Sequence, residues 1–191
     1  MKILLSIGIL IFCCLNGFCQ DSIPPYLVGK ISYPAIQTHL YEGVIDVEPN
    51  ALKYDAALEY KIAIDLYDKI GDSSSLYIPL REVARVYNLN IANGVPKEKL
   101  KIAAVIHGYG MDAILNNEKY KEKYDVDNPN TDTINQLLDL GVDFYVCGQN
   151  LGMFNVSKDD ILYGINVPIS AKTTFITLDQ MGYSYLNVNE D

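Results

Sequence analysis

The sequence predicts a three-layer α/β/α domain on a mostly parallel sheet of about five strands, preceded by an extended N-terminal arm. Three observations carry that prediction. Apolar, β-branched runs of strand length alternate with stretches whose apolar residues recur every three or four positions, as in strand–helix–strand units. The run Lys-Ile-Ala-Ala-Val-Ile-His-Gly at 101–108 is almost wholly apolar, which suits a strand covered on both faces. Before residue 57, by contrast, Pro24, Pro25, Pro34 and Pro49 oppose regular ladders and helices.

Residues 1–19 read as a signal peptide. Lys2 precedes an apolar run at 3–12, and Gly17 and Cys19 put small residues at −3 and −1 of a cut before Gln20. The run is too short to span a bilayer comfortably. The expectation is an exported protein, periplasmic or secreted, that leaves the membrane once the signal is cut. Cleavage removes Cys13, Cys14 and Cys19, so Cys147 becomes the only thiol and no intramolecular disulfide can form. Losing Lys2 lowers the 15 bases to 14 against 24 acids, a net of −10. That balance disfavours nucleic acid and anionic membrane surfaces, since both need a basic footprint.

Residues 20–56 form the arm, whose Tyr26, Tyr33 and Tyr41 suit it to lie along the domain or a neighbouring subunit. His39 falls there and is given no role. The domain occupies 57–191. Its first strand is 59–67, followed by a Gly-Asp-Ser loop at 71–75. Pro79 opens a helix whose inner face is Leu80, Val83, Ala84, Tyr87 and Ile91, and Asn93-Gly94 ends it. The second strand is 101–108. Gly108-Tyr109-Gly110 is read as a turn, because no third glycine completes a dinucleotide fingerprint. A charged helix at 111–124 and a loop at 125–130 come next. Thr131 is expected to cap a helix through Leu140. The third strand, 142–146, stops at Cys147-Gly148. A capping-box start at 157–160, a fourth strand at 165–169, a helix at 171–181 and a strand at 183–188 complete the order.

Cys147 thus ends a strand at the carboxyl edge of the sheet, where open α/β folds hold ligands. A turn there exposes backbone N–H groups that lower a thiol's pKa. His107 ends the preceding strand. If the two strands are neighbours, both side chains open onto one crevice and His107 is placed to deprotonate the thiol. Cys147 and His107 are therefore the catalytic candidates, with Gly108, Gly148, Gln149 and Asn150 lining the crevice. Lys172 joins them only if 165–169 lies close. The competing assignment for Cys147 is a small buried hydrophobe, since free cysteines are among the most buried residues. One Cys and two His are too few for a metal site within one chain, and no cofactor is expected.

Lys61–Asp65 as first strand, the strand end Ala-Val-Ile-His-Gly at 104–108, Asn128-Pro129-Asn130 before a helix, and Leu-Gly-Val-Asp-Phe-Tyr-Val-Cys-Gly-Gln at 140–149 form an ordered set, with Met-Gly-Tyr at 181–183. Over roughly 58–188 the chain resembles the exported branch of the DsrE/DsrF-like proteins. The resemblance implies a three-layer α/β sheet, homo-oligomers, and sulfur-relay chemistry in which a cysteine carries persulfide. Two function classes follow. One is a sulfurtransferase-like carrier acting through Cys147 with a sulfur donor or acceptor protein. The other is a non-catalytic small-ligand or assembly module with a structural cysteine.

Overall fold

The computed structural model describes residues 23–48 and 50–190, so the expected signal segment at 1–19 lies outside the described residues. Within the arm, β1 (Ile31–Ser32) and β2 (Val44–Ile45) pair antiparallel. The main sheet has four parallel strands: β3 (Tyr60–Leu66), β4 (Leu100–Ile106), β5 (Asp143–Val146) and β6 (Ser184–Asn187), in the order β5-β4-β3-β6. The connection from β3 to β4 carries α1 (Ile78–Ala92), and that from β4 to β5 carries α2 (Asn117–Tyr124) and α3 (Thr131–Asp139). Between β5 and β6 run α4 (Gly148–Phe154) and α5 (Ala171–Gln180).

The first two connections advance one way along the sheet, and the last returns past β4 and β3 to the far edge. Crossovers keep one hand, so reversing direction puts α5 on the opposite face from α1 and α3. Side chains alternate with a period of two and sort accordingly. Ile64, Leu66, Ile102, Ile106 and Phe144 join the large core with Leu80, Val83, Tyr87, Ile134 and Leu137. Ala63, Ala103 and Val105 face the other way, into a small cluster with Cys147, Ala171 and Leu178.

Four local expectations change. Residues 165–169 make one parallel bridge, Tyr145 with Asn166, instead of a strand. The Asn166 amide donates to Phe144 O and the Val146 amide to Asn166 O, both at 2.9 Å. Pro168 has no N–H to extend the ladder. The stretch 111–124 divides into a 3₁₀ helix, Gly108–Ile114, and α2. Leu115 is drawn into a bridge with Ile161, and Asn116 caps α2 by accepting from the Lys119 amide at 2.9 Å. Tertiary pairing overrides helix propensity there.

The third change concerns Thr131, which is the first residue of α3 and does not cap it; its hydroxyl is buried without a partner among the described residues. Its neighbours are occupied elsewhere. Buried Asn128 donates to the carbonyls of Ala113 (3.0 Å) and Leu115 (2.6 Å) and accepts from the Asn130 amide (2.9 Å). Asn130 Oδ1 accepts from the Tyr77 amide at 2.8 Å. Asn-Pro-Asn is therefore a latch that ties the β4–β5 connection together and to the start of α1. Lastly, the chain after Cys147 is helical from Gly148, not a simple turn.

The arm lies on α1 through one buried side chain. Asn88 accepts from the amides of Ala35 (3.0 Å) and Ile36 (3.1 Å) and donates to the carbonyls of Ile36 (2.8 Å) and Glu42 (3.0 Å). Glu42 is itself buried and accepts from the Thr38 amide and hydroxyl, both at 2.6 Å. Replacing Asn88 by Ala strands these groups, at a cost of at least about 2 kcal/mol. Urea unfolding of Asn88→Ala should show a lowered midpoint. An unchanged midpoint would show that the hydrogen bonds of Asn88 to the arm add nothing to stability.

Candidate functional site

Strand register brings three ionisable side chains to one place. On the α5 face, Asp65 pairs with Val105, and Val105 with Tyr145. His107 and Cys147 stand two residues further along β4 and β5, so both project from the same face at the carboxyl edge. The ladder continues to carry them. The His107 amide donates to Leu66 O and the Cys147 amide to Ile106 O, each at 3.0 Å. Asp65, His107 and Cys147 line a single cavity of about 880 Å³. Its walls come from α4 and α5, with Met153, Phe175 and Ile176 apolar and Lys172 cationic. Lys172 is thus present because 165–169 lies close beside β5.

The electrostatic centre is Asp65, only 6% exposed. Its Oδ1 lies 2.8 Å from His107 Nε2, and its Oδ2 accepts from the Tyr185 hydroxyl at 2.7 Å. That hydrogen bond leads the causes that push the Tyr185 pKa up to about 12, so Tyr185 remains a donor throughout the neutral range. Asn189 fixes the same strand end. Its Nδ2 donates to Asp65 O (2.8 Å), and its Oδ1 accepts from the amides of Tyr67 (2.7 Å) and Asp68 (3.1 Å). The Tyr67 ring lies 5.4 Å from the His107 ring.

The predicted residues divide into two groups. Cys147, His107, Gln149 and Asn150 do line the cavity. Gly108 and Gly148 do not, and their part is backbone. Asn150 Oδ1 accepts from the Gly108 amide at 3.0 Å, while Gln149 Nε2 donates to Ile169 O at 3.2 Å. The amides that would cradle a thiolate are also committed: Cys147 N to Ile106 O, and Gly148 N to Pro168 O at 3.0 Å. His107 has its Nε2 on Asp65 and no hydrogen bond to Cys147 among the described residues. Cys147 is 7% exposed and packs against the alanine-rich cluster.

Sequence reading missed Asp65 and Tyr185. The available signal was a lone carboxylate inside the apolar run Ile64-Asp65-Leu66, where a charge persists only with partners. A second cavity, of about 770 Å³ between 44–53 and the end of α1, contains no His or Cys. Among the described residues no group of three or more His, Cys, Asp or Glu could hold a metal. No described helix is long and apolar enough to cross a membrane.

A protein-family model described as the DsrE/DsrF-like family matches residues 74–188, more than half of the sequence. The chain belongs to the DsrE/DsrF-like family. That family is associated with sulfur relay. Among solved structures, a protein of unknown function from Methanobacterium thermoautotrophicum is similar in fold. The two share 20% identity with a TM-score of 0.51, over 68% of this chain and 99% of that one. No curated protein matches the chain. The core of this DsrE/DsrF-like chain is the parallel sheet that the resemblance implies.

Gly148 offers a direct test of how the site is framed. A Cβ there would stand 2.6 Å from Pro168 O, a backbone atom that cannot rotate away. Gly148→Ala should push 165–169 outward, cost about 1–3 kcal/mol and raise the accessibility of Cys147. Thermal unfolding and the alkylation rate of Cys147 read the two effects; wild-type values in both would refute the close contact.

Proposed function

We propose that this chain is an exported sulfur carrier that holds persulfide on Cys147. The observation that supports the reading best is the convergence of Cys147 and His107 from adjacent strand ends on one cavity, in a family associated with sulfur relay. In the first step the Cys147 thiolate attacks the outer sulfur of a donor persulfide, R–S–SH. The donor's S–S bond breaks, a new S–S bond forms at Cys147 Sγ, and R–S⁻ departs with the electron pair. In the second, an acceptor thiolate takes that outer sulfur and Cys147 leaves as thiolate. No net oxidant or reductant is needed. His107 takes the thiol proton before the first step.

The commitments of the backbone favour sulfur transfer over acyl transfer. Acyl transfer needs donors for a developing oxyanion, and the amide after the nucleophile is the usual one. Here the Gly148 amide is spent on Pro168 O. Attack on sulfane sulfur generates no tetrahedral oxyanion. The burial of Cys147 favours the second reading, a ligand-binding or assembly module with an inert thiol.

Incubating the native protein with polysulfide should add one sulfur atom (about 32 Da) to Cys147, seen by mass spectrometry and absent in Cys147→Ala. Alkylation of the native protein should proceed readily near neutral pH. A thiol that reacts only after unfolding would establish the second reading instead.

The proposal includes self-association. Ile169, Ile176 and Met181 are more than half exposed around α5, and β6 is an open sheet edge with every residue exposed. Apolar surface on an uncovered face and an unpaired strand are what a second copy covers. Light scattering should give a mass above the monomer; monomer mass across concentrations would contradict this part.

A further inference from the structure

We infer that Asp65 is a positioning residue that holds His107 as its Nε2–H tautomer, leaving Nδ1 as the nitrogen that receives the Cys147 proton. The inference deepens the carrier reading and rests on it for the thiol's part, while the tautomer itself does not.

A carboxylate buried to this degree survives as an anion only if donors converge on it. Two do: Tyr185 Oη on Oδ2 at 2.7 Å and His107 Nε2 on Oδ1 at 2.8 Å. An ionised carboxylate has acceptors only, so the Nε2 atom facing it must carry a hydrogen. In the neutral ring Nδ1 then holds the lone pair, and it has no hydrogen-bond partner among the described residues. When Nδ1 takes the thiol proton, the imidazolium is held against the carboxylate across 2.8 Å. Asp65 thereby favours the thiolate–imidazolium pair without touching the sulfur.

The remaining groups around His107 are few. From β3 comes Asp65 and from just past it the Tyr67 ring, from β6 Tyr185, from the residue after β5 Cys147, and from α5 Lys172 across the cavity. α4 contributes Gln149, Asn150 and Met153, none of them charged. Among the described residues that line the cavity Asp65 is the one anion, which makes the effect of its removal readable.

Sign separates this role from a direct one. Acting alone on the thiol, a nearby negative charge disfavours the thiolate, so removing it would speed alkylation. Acting through His107, its removal slows alkylation. In the full chain, Asp65→Asn should lower the alkylation rate of Cys147 at pH 7 by about tenfold. In a His107→Ala background the same substitution should cause no slowing. Faster or unchanged alkylation in Asp65→Asn, or equal slowing without His107, would overturn the inference.

A second measurement is independent of the thiol. Nitrogen-15 NMR of histidine-labelled wild-type chain, with His107→Ala to assign the signals, should show neutral His107 protonated at Nε2. A ring protonated at Nδ1, or an even mixture, would overturn the inference even if Cys147 proves reactive. If Cys147 is inert while the Nε2–H tautomer is found, the carrier reading fails and the positioning of His107 stands. Should Asp65→Asn not fold, the wild-type spectrum decides alone.

Discussion

The period-two alternation of β3 and β4 is the constraint from which the rest follows. One set of side chains is bulky and aliphatic and packs under α1 and α3; the other is Ala63, Ala103 and Val105. A parallel strand covered on both faces needs apolar residues in both sets, and here the two sets differ in size. The small set leaves room for one helix, α5, to lie over the sheet. It also carries Asp65, His107 and Cys147 at its upper end. Moving any of these strands by one residue would transfer the site to the core face and the core to the site.

That dependence explains what was legible in the sequence. The order of strands and helices could be read because apolar periodicity is local, while the neighbour relation of β4 and β5, which the register shows, could only be supposed from the alternation. Cys147 and His107 could be placed together on that basis. Asp65 could not, because its significance lies in pairing across two strands: β4 on one side and β6, more than a hundred residues later, on the other. Gln149 and Asn150 were legible as neighbours of the cavity but not as clamps. Their partners are the Gly108 amide and the Ile169 carbonyl, and only the folded loops reveal those.

Where local rules failed, a buried backbone group had found a better partner at a distance. Leu115 left a helical pattern to pair with Ile161. Asn128 and Asn130, which read as ordinary loop residues, satisfy one amide at the start of α1 and two carbonyls just before α2. A buried backbone group left unpaired costs as much as several local preferences combined, so such contacts decide the path of the chain.

The alanines of the lower sheet have a further consequence for divergence within a lineage. The depth of the cavity depends on how closely α5 rests on Ala63 and Ala103, two positions that form none of its walls. A methyl or ethyl group added at either would lift that helix and widen the space above Cys147 while every wall residue stayed the same. The volume of the cavity is therefore set in part from beneath its floor. Two relatives with identical cavity residues need not enclose the same space.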